Sequence, residues 1–214
     1  MKKICILISV FFISLSFIGC KPKIEIQAAE KDEVVVKFST GFAAETAKAL
    51  RSMSGISENQ ALLSENDIKT VLAQLNSKNE KVSMPSPTEI AAEGTFDLKQ
   101  NQLSKCGLIT KTENSISLSL GPKQFQNFYE LLNEEFKSYF DLMMVPALIG
   151  EKMTVAEYDE LLASMYGPTF AKDLTAGEVE IILKNQNGKK ILKETVPLGE
   201  LLTTTEEKVW KLNF

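Results

Sequence analysis

Two stretches of this chain alternate apolar and polar side chains with a period of two, and that alternation limits the fold more than any other feature. Successive side chains of a strand point to opposite faces, so the pattern predicts an antiparallel sheet with one buried and one wet face. The first stretch carries Phe96 and Leu98, then Leu108, then Ile116, Leu118 and Leu120 set against Ser115, Ser117 and Ser119. The second, VEIILKNQNGKKILKETV, brackets Asn187-Gly188 with two alternating runs, as a hairpin with a two-residue type I′ turn requires. Glu207 to Phe214 adds Val209, Trp210 and Leu212 among charges and ends the sheet, with Trp210 as a core or rim aromatic. Glu33 to Ser39 (EVVVKFS), short and β-branched, reads as the first strand.

Helical spacing fills the intervals. Phe42, Thr46, Leu50 and Met53 predict a first helix after Gly41, and Ser57–Gln60 and Ser64–Asp67 are two capping starts before further apolar periods. Residues 76–88 (NSKNEKVSMPSPT), polar with two prolines, read as a loop and as the internal boundary if the body has two lobes. Gly121-Pro122 then opens a ring-rich segment whose Phe125, Phe128, Tyr129, Phe136, Tyr139 and Phe140 are six of the fourteen aromatics beyond position 19. At about 100° per residue these rings, with Leu132 and Met143, share an arc of roughly 120°, the stripe of an amphipathic helix. Pro146 blocks its continuation, and a second helix starts at the capping box Thr154–Glu157 and stops at Gly167-Pro168. The fold class that follows is α+β, an antiparallel sheet packed by several amphipathic helices, as a single domain over residues 33–214.

The connection between these two helices is apolar from Met143 to Ile149, where solvated turns are usually polar. Either the sheet covers it or it marks a membrane or partner surface. Phe125, Phe128, Phe136, Phe140, Met143, Met144, Val145, Leu148 and Ile149 are therefore the candidate residues for contact with membrane lipid or an apolar ligand.

The first residues, MKKICILISVFFISLSFIGC, have the parts of a secretory signal: Lys2 and Lys3, an apolar run from Ile4 to Ile18, and the small Gly19. Fifteen helical residues cover about 22 Å, short of the roughly 30 Å hydrocarbon core, so a permanent span is the weaker reading. The segment ending Phe17-Ile18-Gly19-Cys20 resembles the signal of bacterial lipoproteins; Gly19 and Cys20 match that pattern, and Phe17 and Ile18 depart from it. The next candidate cut, at Ala28-Ala29, lies well past the apolar run. The resemblance implies removal of residues 1–19, acylation of Cys20 by three chains and attachment to a membrane, with residues 20–32 as a tether to the body. Lys21 does not match the Asp that favours inner-membrane retention in that family, so the outer membrane is the favoured address.

Composition narrows function. Of 24 basic residues two leave with the signal, so 22 face 28 acidic ones, a net charge of −6 that argues against nucleic acid as a partner. With Cys5 in the signal and Cys20 acylated, Cys106 has no partner for an internal disulfide and reads as a small buried hydrophobe. The sequence holds no histidine, which removes Ser-His-Asp and Cys-His catalysis, and it shows no phosphate loop or calcium loop. The acidic pair Asp159-Glu160 reads as solvated helix surface. No cofactor or metal is implied. The expectation is a non-catalytic envelope lipoprotein that meets membrane lipid through its helical pair, with a carrier of an apolar ligand or a scaffold for an envelope protein as the alternatives.

Overall fold

The structure, a computed structural model, describes residues 22–41, 43, 46–48, 51, 57, 64–130, 137, 141 and 143–214, the side chains of Asp67, Val71 and Gln74 aside. Its main feature is a six-stranded sheet in the order β3-β4-β2-β1-β7-β8, formed by β1 (Lys23–Ala28), β2 (Glu33–Gly41), β3 (Ser77–Ser86), β4 (Glu89–Asp97), β7 (Glu178–Lys184) and β8 (Ile191–Pro197). Neighbours are antiparallel except β1 and β7, which run parallel at its centre. A second sheet orders β5 (Ile109–Thr112), β6 (Ser115–Leu120) and β9 (Lys208–Asn213). The chain is thus α+β with two mostly antiparallel sheets.

The tether is the first correction. Residues 23–28 form β1, held by Ile24, Ile26 and Ala28 against Phe38, Val36 and Val34 of β2, and Pro22 already accepts a hydrogen bond from the Glu180 N–H at 2.8 Å. Its sequence, KIEIQA, alternates as cleanly as any strand in the protein. EVVVKFS is accordingly the second strand. The second correction concerns residues 76–88: 77–86 form β3, an edge strand with register breaks between Lys78 and Lys81 and between Ser83 and Ser86. Val82 and Met84 alternate there and pack on the core, while Pro85 is tolerated because an edge strand needs only half of its backbone hydrogen bonds. The proposed internal boundary is therefore a strand of the main sheet.

The helices follow their local signals. Of the helix expected over 42–53, positions 46–48 and 51 are described and helical and position 43 is described and not helical; the rest lies outside the described residues, as do positions 58–60 of the capping box. Helix α1 (Glu65–Gln74) starts after Ser64, and α2 (Gln102–Lys105) is capped by Asn101, whose Oδ1 accepts from the Leu103 N–H at 2.6 Å. Pro122 opens α3 (Pro122–Tyr129), after Gly121, where a Cβ would come within 2.7 Å of the Glu207 Cα. Pro146 and Pro168 end one run yet sit at the first position of the next, α4 (Pro146–Ile149) and α6 (Pro168–Thr175), because the missing N–H is no loss there. Between them α5 (Val155–Tyr166) has the full capping box of Thr154 and Glu157. A last turn, α7 (Leu198–Leu202), follows β8.

The hairpin closing β7 and β8 differs from a two-residue turn. The last backbone pairing joins Asn185 N to Lys190 O at 3.1 Å, leaving four residues in the loop. Only Gly188 is left-handed (φ +70°) in this loop; a type I′ turn needs positive φ at both central positions, and Asn187 instead accepts the Lys189 N–H on its side chain.

The apolar face of the main sheet joins the helices and the small sheet in one buried cluster containing Ile26, Phe96, Leu103, Leu120, Phe128, Leu162 and Ile181. Trp210 lies in it opposite Leu118. Strand β6 is the centre of the small sheet and is covered on both faces, so Ser115 and Ser119 are buried rather than wet. Replacing Ile26, fully buried in β1, by alanine is expected to lower unfolding free energy by about 2–5 kcal/mol in urea titration. Val209→Ala, at a half-exposed position, is expected to stay within about 0.5 kcal/mol of the parent.

Candidate functional site

The apolar turn is where lipid contact was expected, and most of it is inside. Phe125 and Phe128 project from α3 into the core; Met143, Val145, Pro146 and Ala147 are buried, Val145 to 1% exposure. Leu148 is half-buried. Among the described residues of this turn only Met144 (37%) and Ile149 (53%) present large apolar surface. Phe136 and Phe140 lie outside the described residues.

The turn is fixed from below by Tyr158 of α5. Its hydroxyl donates to the Met143 carbonyl at 2.9 Å, and its ring is fully buried, which pushes the phenol far above its ordinary value and keeps it a donor. Gly150, left-handed at φ +74°, then closes α4 with its N–H on the Pro146 carbonyl. Met143, Val145, Pro146 and Ala147 therefore belong to the packed interior, and Met144 and Ile149 are the apolar side chains of the described turn that face outward.

The carrier reading placed an apolar cavity between sheet and aromatic helix. The described residues there, Phe96, Leu103, Leu120, Phe128, Tyr158 and Ile181, are all fully buried. A groove of about 490 Å³ occurs on the opposite face of the main sheet. Strand register explains its chemistry. Lys81, Glu93, Lys37 and Glu25 are consecutive cross-strand neighbours, and one pleat further along so are Ser83, Ala91, Ser39 and Lys23. The first row gives the groove a charged wall and the second a floor of small side chains ending in Lys23.

Charges in this face neutralise one another across strands. Lys81 and Lys37 reach the Glu93 carboxylate at 2.9 and 3.4 Å, Lys184 reaches Glu25 at 2.8 Å, and Glu180 takes both Lys23 and Lys193. The hydrogen bond from Lys81, with the charge of Lys37 behind it, holds Glu93 below the ordinary glutamate value of 4.5, and Lys193 does the same for Glu180. Glu25 is 7% exposed, beside Ile182, a buried residue outside the main cluster. Such a face combines polarity, shape and cross-strand ion pairing. Burial pushes the Cys106 thiol up to about 11, so it stays protonated and unreactive. No three His, Cys, Asp or Glu side chains among the described residues converge as a metal site would need.

The strand edges are protected as well. β3 is bulged, with Asn79 left-handed, and β8 presents Lys193, Glu194 and Pro197, features that oppose pairing with another chain. The signal for the groove was present in KIEIQA, VKFS, EKVS and AAEG, whose polar positions become one face only when the strands are set in register.

Val145→Asp is expected to destabilise the fold by more than about 3 kcal/mol in urea titration, since a charge enters a packed site. Ile149→Asp is expected to leave both stability and vesicle association unchanged. The paired carboxylates set a pH effect: with folded values depressed, the stabilisation is complete above about pH 4.5 and fades as pH falls through the lower folded values. Each exposed pair contributes at most about 1 kcal/mol, and Glu93→Gln is expected to flatten the acid limb of the stability profile measured at low salt.

Comparison with protein-family models gives no match, and comparison with curated proteins gives none, so the functional reading rests on the residues of this chain.

Proposed function

We propose that this protein is a lipid-anchored component of a bacterial cell envelope, attached through acylated Cys20 with the outer membrane as the favoured address. Its body acts by binding rather than catalysis, through the open, ion-paired face of the main sheet and not through the apolar turn. The observation that carries this reading is the position of β1. A cut at Ala28-Ala29 would delete a strand flanked on both sides in the six-stranded sheet, whereas a cut before Cys20 leaves every described element whole. The small residue and cysteine that end the apolar run are thus also the last processing point that spares the fold.

The non-catalytic part is supported by the chemistry present. A thiol raised to about 11 is a poor nucleophile, and the lysines of the open face are engaged in ion pairs with Glu93 and Glu25.

Mass spectrometry of the membrane fraction tests the anchor. The expected mature chain begins at Cys20 and carries three acyl chains, and Cys20→Ser is expected to accumulate as the longer, unacylated precursor. A mature chain that begins elsewhere, or an unmodified Cys20, overturns the proposal.

A further inference from the structure

We propose that one end of the six-stranded sheet, carrying Lys23, the turn at Pro87 and Thr88, and Pro197, is held directly against phospholipid headgroups. This rests on the reading of Cys20 as the anchor and adds the orientation of the body to it.

Chain length carries the argument. Pro22 is already part of the fold through its carbonyl on Glu180 N–H, so a single residue, Lys21, separates it from Cys20. Two Cα steps span at most about 7 Å, no more than the polar headgroup layer on one side of a bilayer, roughly 5–7 Å. A flexible tether of about twelve residues would instead give an end-to-end distance near 19 Å and let the body turn freely. Strand register defines which end is held. The start of β1, the end of β2 at Gly41, the Ser86–Glu89 turn, the start of β7 and the end of β8 all fall together. The opposite end, with the turn before Glu33 and the loop at Asn187, stands one strand length away, about 20–30 Å for six to nine residues.

The held end carries Glu89, Glu178 and Glu200 as well as Lys23, so attraction to anionic lipid does not explain the contact. The anchor enforces it, and the orientation is therefore insensitive to salt. The groove, whose floor ends at Lys23, then opens beside the membrane surface.

The test uses the full chain with acylated Cys20, reconstituted in vesicles of phosphatidylethanolamine and phosphatidylglycerol that carry a headgroup-attached quencher. A thiol-reactive fluorophore is placed at Thr88→Cys or at Asn187→Cys, both in turns; buried Cys106 stays unlabelled in the native protein. Quenching several-fold stronger at position 88 than at 187, unchanged by high salt, is the expected result. A Gly/Ser insertion of about ten residues between Lys21 and Pro22 is expected to bring the two positions close to equality. Equal quenching with the native link overturns the orientation while leaving the anchor intact, and so does a difference that survives the insertion. Mass spectrometry of the same sample shows separately whether Cys20 is acylated, so failure of the anchor is distinguished from failure of the orientation.

Discussion

The parallel pairing of β1 with β7 holds the rest of the structure in place. It joins residues 23–27 to residues 180–184, and both β2 and β8 extend outward from that pair. Parallel neighbours cannot be linked by a tight turn, so the chain between them must be a crossover. Here that crossover contains β2 to β6 and the helices up to α6. The small sheet, supplied by β5 and β6 before β7 and by β9 after β8, packs on β7 and β8 from one side. Closing so long a loop costs entropy that only the buried cluster offsets, and β1 contributes Ile24, Ile26 and Ala28 to it.

Because side chains alternate along each strand, one set of pairings creates two surfaces of opposite character. Ile24, Val36 and Ile181 fall on the covered side, and their neighbours Lys23, Lys37 and Glu180 fall on the open one. A slip of one residue would exchange them, which makes the register of this sheet well specified. The cross-strand order of lysine and glutamate adds to that specification, since like charges would otherwise stand side by side. The same register that builds the core thus also builds the groove.

Much of the architecture was legible locally. The capping box at Thr154–Glu157, the stop at Gly167 and the proline start at Pro122 involve groups within a few residues of one another, and the structure has all three as read. Two strands were missed despite a local signal. KIEIQA lies beside Pro22 in a charged stretch and resembled a solvated tether, and NSKNEKVSMPS is an edge strand whose bulges and proline break the alternation. The hairpin at Asn187-Gly188 was placed correctly but its loop was too short by two residues, because the Asn185 side chain takes the Lys190 N–H and shifts the closure outward. The groove was not legible, since its walls come from four strands separated by up to seventy positions.

By itself the sequence determined the elements whose causes are local: the period-two strands, the capped helices, and an apolar run ending in Gly19-Cys20. It also settled that histidine chemistry is absent, because composition needs no fold. Tertiary structure alone decided which apolar residues are wet. Met143 and Val145 look like Met144 and Ile149 in sequence, yet the Tyr158 hydroxyl and the packing of α4 draw the first two inside and leave the others out. Burial is a property of what lies opposite a residue, and partners distant in sequence supply it. Only the pairing of β1 with β7 could show that the packed sheet reaches to within two residues of Cys20.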